Sequence, residues 1–256
     1  MELNMKIRNV LIYFALKYKG NWEQIHKAIN LQEKLDENYL NEELKKIKCN
    51  IVTVIDEEYP EQLKKIYQPP FVLFYYGDLS ILKNNHILGV VGSRNASCYG
   101  INACCKIIND LKNSDIVVVS GLAKGIDSIA HESAIINDLK TVAVLGTGID
   151  YCYPKENFYL YRKIKNYGLI ISEYPYKELV NKNNFVLRNR LIAGLSNKLF
   201  IPEVQDKSGT LITIRFALNF GKEILVAPTS IFESTYNNEL IFQGATPIVD
   251  GKEIFE

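Results

Sequence analysis

The chain has 256 residues, of which 47% are hydrophobic and 23% are charged, and its formal net charge is +1. This composition is typical of an ordinary globular protein, and the length allows one principal domain with a full core and a small appendage. A net charge near zero excludes a general attraction to nucleic acid, so any anion site depends on local clusters of cations.

Membrane, metal and export signals are missing from the sequence pattern. The most apolar runs have the length of strands, far below the roughly 18 residues of a membrane span. No stretch near the N-terminus has the organisation of a signal peptide, and we expect a cytoplasmic protein. Five cysteines without a C-x-x-C pair and three scattered histidines support neither a zinc site nor a disulfide framework. We expect no metal and no cofactor.

The first part of the chain, residues 1–48, reads as a small helical unit. Apolar residues recur at helical spacing within 10–16, 22–29 and 39–47. So small a unit needs to pack on a neighbour to be stable. We therefore predict two parts, a helical unit at 1–48 and a larger domain at 49–256.

The larger domain begins with strand candidates at 51–55 and 71–76, separated by a short helix that Tyr59-Pro60 opens. After His86 strands and helices alternate, which predicts an α/β fold with a mostly parallel, doubly wound sheet. The predicted strands are 87–91, 116–119, 142–145, 169–172, 198–201 and 223–227. The predicted helices are 101–111, 126–136, 157–165, 185–195 and 211–220.

Loops of small residues, several of them with a cation, follow four of these strands. They lie at 92–94, 120–125, 146–148 and 205–210. Because the carboxyl ends of parallel strands share one edge of a sheet, these loops can form a single crevice. Glycines, hydroxyl groups and cations in one crevice indicate a phosphate site. Taken singly, however, each loop is also compatible with an ordinary turn.

The loop at 120–125 precedes a helix whose N-terminal amides point towards it and favour a bound anion. Lys124 would then contact the anion. In the alternative interpretation Lys124 lies in solvent and Asp127 only favours the helix dipole. His131, one turn further along, lacks a partner at metal-ligand spacing and is predicted to pack within its helix.

Two other segments allow a structural and a functional interpretation. In the loop at 205–210, Ser208 or Thr210 is available to cap the following helix. Arg188 and Arg190 lie in an apolar helix and point about 200° apart, so they are not expected to grip one phosphate together. One of them can face the crevice while the other makes an ion pair, and the sequence leaves open which. Phe185 either stacks on a base or packs in the helix.

Sequence motifs for catalysis are mostly missing. The chain has no G-x-x-x-x-G-K-[ST] loop, no G-x-S-x-G elbow and no complete G-x-G-x-x-G after a strand. Asp127, Glu173 and Glu203 lie near strand ends, and we predict that they pair with the crevice cations. We expect a protein that is not an enzyme.

From about residue 59 to 249 the sequence resembles the DprA (Smf) family of bacterial DNA-processing proteins. The matching segments, in order, are Gly92-Ser93-Arg94 with Tyr99-Gly100, Ser120-Gly121 through Asp127 and Ala130-His131, Tyr153-Pro154, Ser172-Glu173-Tyr174-Pro175, Arg188 through Ser196, and Ser208 through Thr213. The resemblance implies an extended Rossmann-like domain that binds single-stranded DNA and loads the RecA recombinase, usually as a homodimer. It also implies a SAM-like fold for the helices at 1–48.

Carried over to this sequence, the resemblance nominates a DNA-binding pocket. Its residues are Gly92, Ser93, Arg94, Ser120, Gly121, Lys124, Gly125, Phe185, Arg188, Asn189, Arg190, Lys207, Ser208, Gly209 and Thr210. The chain departs from the family at Thr229 and Tyr236, where a glycine is usual. An alternative function is a nucleotide-binding or nucleotide-hydrolysing enzyme of a related Rossmann-like family. The hydrolases of that group carry a glutamate where this chain has Thr213.

Overall fold

A single sheet with helices on both faces organises the protein. The computed structural model describes residues 2–176, 178–233 and 235–255, and within them the sheet has nine strands. The strands are β1 (Asn50–Thr53), β2 (Val72–Gly77), β3 (Ile87–Val90), β4 (Val117–Ser120), β5 (Lys140–Leu145), β6 (Leu169–Ser172), β7 (Lys198–Ile201), β8 (Glu223–Val226) and β9 (Thr246–Pro247).

The strand order is β1-β2-β6-β5-β4-β3-β7-β8-β9. Strand β2 runs antiparallel to both of its neighbours, and every other pair is parallel. The chain moves outwards from β3 through β4, β5 and β6 and then returns to place β7 on the other side of β3. Strand β3 therefore borders a topological switch point, where open α/β sheets form a crevice at the carboxyl ends of the strands. The predicted doubly wound α/β fold is confirmed.

Ten α-helices lie within the described ranges. They are α1 (Glu2–Lys17), α2 (Trp22–Asn30), α3 (Glu37–Leu44), α4 (Glu61–Lys64), α5 (Cys98–Asp110), α6 (Ile126–Ile136), α7 (Phe158–Tyr167), α8 (Lys182–Leu195), α9 (Thr210–Asn219) and α10 (Asn237–Phe242). Short 3₁₀ helices occupy Leu79–Lys83, Lys155–Asn157 and Gly251–Ile254. Among the described residues, none of the helices combines the length and the apolar character needed to span a membrane.

Two helices begin earlier than predicted, because capping residues lie outside the apolar runs from which the helices were predicted. Helix α5 starts at Cys98 rather than 101, because the Ser97 hydroxyl accepts a hydrogen bond from Gly100 N at 3.2 Å. Helix α8 starts at Lys182 rather than 185, because the Asn181 side chain accepts one from Asn183 N at 3.0 Å. The earlier start of α8 brings another cation into the helix that borders the crevice.

The two faces of the sheet have separate hydrophobic cores. Helices α4, α8 and α9 cover one face, where Leu63, Leu191 and Ile214 belong to one buried cluster. Helices α5 and α6 cover part of the other face. Each fully buried aliphatic side chain of this kind contributes about 1.5–3 kcal/mol. The crevice edge is thereby held between two packed layers.

The N-terminal helices share a core with the sheet. Phe14 of α1 and Ile25 of α2 belong to the same buried cluster as Phe74 of β2 and Leu145 of β5. Trp22 fixes the junction, because its indole N–H donates to Pro69 O at 2.8 Å. Packing on a neighbour, which the small size of this unit requires, is therefore provided by the sheet. The division of the chain at residue 48 stays a prediction.

Candidate nucleic-acid interface

A crevice of about 720 Å³ opens at the carboxyl edge of the sheet, between the loops after β3 and β7 and helix α8. Of the residues nominated from the sequence, those that line the crevice are Gly92, Ser93, Arg94, Phe185, Arg188, Asn189, Ser208, Gly209 and Thr210. The nominated residues outside its lining are Ser120, Gly121, Lys124, Gly125, Arg190 and Lys207. The loop at 146–148, predicted to share the crevice, also lies outside its lining. Lys182 and Tyr153 also line it, and neither was predicted from the sequence. Lys182 was missed because it precedes the apolar run from which the helix was predicted.

The loop after β3 is held tightly on both sides. Ser93 N donates to Glu203 O at 2.8 Å, and Ile126 N donates to Ser93 O at 3.1 Å. A Cβ at Gly92 would lie 2.6 Å from Ile126 Cγ1, so only glycine fits between β3 and α6. Arg94 of this loop lines the crevice and is exposed to solvent. No hydrogen bond or ion pair engages its guanidinium among the residues that the structure describes.

The loop after β4 supports the crevice from behind. Ser120 is buried and its hydroxyl donates to Val90 O at 2.6 Å, which ties β4 to β3. Gly125 has a φ of +74° and passes against Ser93 O, a conformation and approach that favour glycine. Lys124 is not among the residues that line the crevice, and it forms an exposed ion pair with Glu156 at 2.8 Å. These residues position the neighbouring loops.

The loop after β7 closes onto the loop after β3. The Thr210 hydroxyl donates to Gly92 O at 2.9 Å, and the Ser208 hydroxyl accepts a bond from Thr210 N at 3.2 Å. The prediction that Ser208 or Thr210 is the N-cap residue of α9 is wrong, because Gly209 occupies that position; Ser208, one residue earlier, accepts the hydrogen bond of the first helical amide instead. Lys207 is exposed, has a φ of +58° and lies outside the lining.

Gly209 stands out among the crevice glycines. Its φ of −58° suits any residue, and a Cβ added to it would meet nothing within 4 Å. Neither backbone conformation nor packing within the protein therefore requires glycine here. The bare backbone at the amino end of α9 lets a ligand approach closely, where the helix dipole favours negative charge.

The structure resolves the question of the two arginines on α8. Arg190 is 1% exposed, its Nη2 lies 2.7 Å from Glu173 Oε1, and it faces away from the crevice. Burial opposes protonation of Arg190, but the charge and hydrogen bond of Glu173 outweigh it and raise the pKa of this guanidinium. Arg188 is the arginine that faces the crevice.

Arg188 is buried with little to balance its charge. It is 3% exposed, its Nη1 donates to Val144 O at 2.8 Å, and its Nε has no hydrogen-bond partner. No carboxylate of the described residues lies within ion-pair distance; the favourable charge of Asp127 acts from further away. Burial lowers the pKa of Arg188, and burial also raises the pKa of Asp127. A Cβ at Gly121 would lie 1.6 Å from Arg188 Nη1, so Gly121 makes room for the guanidinium.

The three carboxylates predicted to pair with crevice cations have different roles. Asp127 acts on Arg188 through space, and Glu173 pairs with Arg190 on the far side of α8. Because Arg190 lies outside the crevice, the predicted pairing with a crevice cation is wrong for Glu173. It is also wrong for Glu203, which accepts hydrogen bonds from the backbone N–H and the hydroxyl of Ser97 and so anchors the start of α5. Its position explains the tight path of the loop after β3.

Aromatic rings form one wall of the crevice. Phe185 is half-buried, and its ring packs on the backbone of Gly146, where a Cβ would lie 2.7 Å from Phe185 Cδ1. The Tyr153 ring lies 5.6 Å from it, and Tyr153 is 45% exposed. Phe185 therefore packs on one side and borders the crevice on the other, and its stacking on a base stays a prediction.

His131 is a packed histidine, as predicted. It is fully buried in α6, and its Nδ1 lies 2.7 Å from the Thr141 hydroxyl. Burial, together with the charge of Arg188, lowers the pKa of His131 to about 3. The imidazole is neutral at physiological pH. Among the described residues no group of three His, Cys, Asp or Glu side chains could hold a metal ion.

Comparison with known proteins shows the family. Residues 50–256 match the family of DNA recombination-mediator protein A. The chain belongs to this family. Its members include the DNA processing protein DprA of Streptococcus pneumoniae, which is 40% identical over 222 residues, covering 86% of this chain and 77% of the relative. The family is named for DNA processing and recombination rather than for a chemical reaction.

Two solved structures of the recombination-mediator family have the same fold. The X-ray structure of DprA from Streptococcus pneumoniae has a TM-score of 0.81 and 36% identity, and covers 96% of this chain and 92% of that one. The structure of DNA processing protein A from Helicobacter pylori has a TM-score of 0.73 and 30% identity, and covers 80% of this chain and 94% of that one. The Helicobacter pylori structure gives insight into the single-stranded DNA binding mode of that protein.

Proposed function

We propose that this protein binds single-stranded DNA through its phosphates, with little preference for sequence. The observation that carries the proposal is Arg188, a buried guanidinium that borders the crevice and has no ion-pair partner in the described chain. Leaving a buried charge without a partner costs about 3–5 kcal/mol. An anion in the crevice would compensate this charge and accept its hydrogen bonds.

The other cations of the crevice support the same ligand. Arg94 and Lys182 line it together with Arg188, against the single carboxylate of Asp127 among the lining residues described. Contacts from such cations and from the backbone at Gly209 reach phosphate oxygens, which carry no sequence information. Phe185 and Tyr153 add aromatic surface on which unpaired bases can stack, a mode that is tolerant of sequence. The single-stranded DNA binding named for the Helicobacter pylori relative agrees with this assignment.

The proposal is tested by titrating the protein with fluorescent oligo-dT and with a duplex of the same length at several salt concentrations. We expect tighter binding of the single strand. The logarithm of affinity should fall linearly with the logarithm of salt concentration, with a slope of about 0.7 for each phosphate neutralised. Equal affinity for both DNA forms, or an affinity that salt does not change, would refute the proposal.

The same proposal includes the placing of RecA recombinase on the bound strand. Membership of a family described as recombination mediators supports this role. In a test, recombinase-dependent ATP hydrolysis is followed on single-stranded DNA incubated with the protein beforehand. The protein should shorten the lag before hydrolysis, and Arg188→Met should not. If neither the wild type nor the variant changes the lag, the protein does not load the recombinase, and only the proposed DNA binding would stand.

We also propose that the protein acts as a homodimer. Apolar side chains cluster in sequence near the outer strand β9 and are almost fully exposed: Phe232 is 92% and Phe242 88% exposed. An interface between two copies of the chain would remove such apolar side chains from water. Light scattering after gel filtration should give twice the chain mass, and Phe242→Asp should give the single mass. A wild-type monomer across the measured concentrations would contradict the proposal.

A second candidate is a nucleotide-hydrolysing enzyme. Asp127 favours it, because this buried carboxyl group lines the crevice and burial raises its pKa, as in many general acids. Thr213, which also lines the crevice, supplies no such chemistry at the position of the hydrolases' glutamate. Incubation with nucleoside monophosphates, followed by chromatography for released base, distinguishes the two. Release that Asp127→Asn abolishes would establish the enzyme.

A further inference from the structure

Helix α7 carries an exposed aromatic and basic surface that the crevice does not use. Phe158 is 54% and Tyr159 69% exposed, and Arg162 lies in solvent one turn further along. Lys163 Nζ lies 4.7 Å from the centre of the Tyr159 ring. We call Phe158, Tyr159, Arg162 and Lys163 the α7 face. Its buried counterparts, Leu160, Tyr161 and Ile164, hold the helix on the sheet.

The charge of this segment differs from that of the whole chain. Between residues 155 and 167 there are four cations and one carboxylate, whereas the chain as a whole is nearly balanced. The carboxylate, Glu156, is occupied by Lys124 at 2.8 Å. Asp150, the nearest carboxylate before the segment, accepts a hydrogen bond from the Tyr76 hydroxyl at 2.6 Å. Within the described residues, no carboxylate forms an ion pair with Arg162 or Lys163.

The α7 face begins at the crevice rim. The Asn157 side chain, directly before the helix, donates to Leu122 O at 2.9 Å and to Ala123 O at 3.2 Å. Ala123 lines the crevice, and so does Tyr153, which lies just upstream. Arg162 and Lys163 follow Phe158 and Tyr159 four residues later, which is a rise of about 6 Å along α7, leading away from the rim.

From this juxtaposition we propose that a single DNA strand leaving the crevice past Tyr153 continues along the α7 face. Bases stack on Phe158 and Tyr159, and phosphates lie against Arg162 and Lys163. Exposed aromatic rings next to cations are the combination that holds unpaired strands without sequence preference. The cation–π contact keeps the Tyr159 ring oriented in the free protein. The inference rests on the proposed binding of single-stranded DNA in the crevice.

The experiment compares oligo-dT lengths from 4 to about 20 nucleotides, the shortest being confined to the crevice. The double variant Arg162→Gln/Lys163→Gln removes two charges from the α7 face. A matched control, Lys83→Gln/Lys112→Gln, removes two exposed lysines that precede β3 and β4, at the opposite edge of the sheet. Urea unfolding of all three proteins verifies that they are equally folded.

We expect all three proteins to bind the shortest oligo-dT equally. For long strands, the α7 variant should lose about 1.4 from the salt slope, since two phosphate contacts contribute about 0.7 each, while the control keeps the wild-type slope. Tyr159→Ser should weaken long-strand affinity about 5- to 150-fold, the range for one stacked base.

Two results would overturn the inference while leaving the proposed function intact. In the first, the affinity of the α7 variant depends on strand length as that of the wild type does. In the second, the α7 variant loses affinity for the shortest strand as well. No binding of any length by the wild type would instead refute the proposed function.

Discussion

Substitution of the two arginines on α8 should separate DNA binding from stability. Arg188 and Arg190 lie two residues apart on one helix, and both are almost fully buried. One borders the crevice without an ion-pair partner in the described chain, and the other is paired with Glu173 away from it. Methionine has a similar length and no charge, so Arg188→Met and Arg190→Met form a matched pair.

For Arg188→Met we expect weaker DNA binding and an intact fold. A hydrogen bond to a charged group contributes about 1.5–3 kcal/mol, so loss of the phosphate contact weakens binding about 10- to 150-fold. The variant loses the bond to Val144 O, which is worth about 1 kcal/mol, but it also removes a buried charge that costs more than this. The free energy of unfolding should be unchanged or higher.

For Arg190→Met we expect the opposite result. Its removal leaves Glu173 buried without its partner, which should lower the free energy of unfolding by about 3–5 kcal/mol. The folded protein should bind DNA with wild-type affinity, because Arg190 does not line the crevice.

Fluorescence anisotropy with labelled oligo-dT and urea denaturation give the two quantities. The reasoning would be refuted if Arg188→Met bound like the wild type, or if Arg190→Met weakened binding without shifting the urea midpoint.

Three further substitutions test the surroundings of the crevice. Gly121→Ala places a Cβ 1.6 Å from the present position of Arg188 Nη1. Because the end of this side chain can shift, we expect the free energy of unfolding to fall by only about 1–3 kcal/mol. Anisotropy should show the same loss of DNA affinity as Arg188→Met. Gly209→Ala should leave the urea midpoint unchanged and weaken only DNA binding, so a stability loss with normal binding would contradict our account of the open backbone. The pKa of His131 is about 3 when folded and 6.5 in its ordinary state, so the unfolded chain takes up a proton first and stability falls as the pH drops below 6.5. Urea titrations should show about 2 kcal/mol lost on this account between pH 7 and 5, and His131→Gln should lose that much less.

The alternation of apolar strands and helices after residue 86 was sufficient to predict the doubly wound sheet. The first and last residues of each predicted strand in this part lie within two residues of the observed ones. Side-chain periodicity and apolar run length are local properties, so they can be read from the sequence alone. The short elements α10 and β9, with six and two residues, carry too little periodicity to be recognised.

The sequence by itself determined that these loops lie at the carboxyl edge of the sheet, because strand polarity in a parallel sheet leaves no other arrangement; which of them line the crevice was decided by packing. Tertiary structure alone decided what each residue does there. Arg188 and Arg190 are equivalent in the sequence, and only the packing of α8 assigns one to the crevice and the other to Glu173. Likewise Gly121 and Gly209 are both small loop residues. One is glycine because a guanidinium fills the space beside it, whereas nothing fills the space beside the other. Burial and charge compensation depend on residues that are distant in the chain, and these residues come into contact only when the helices pack on the sheet.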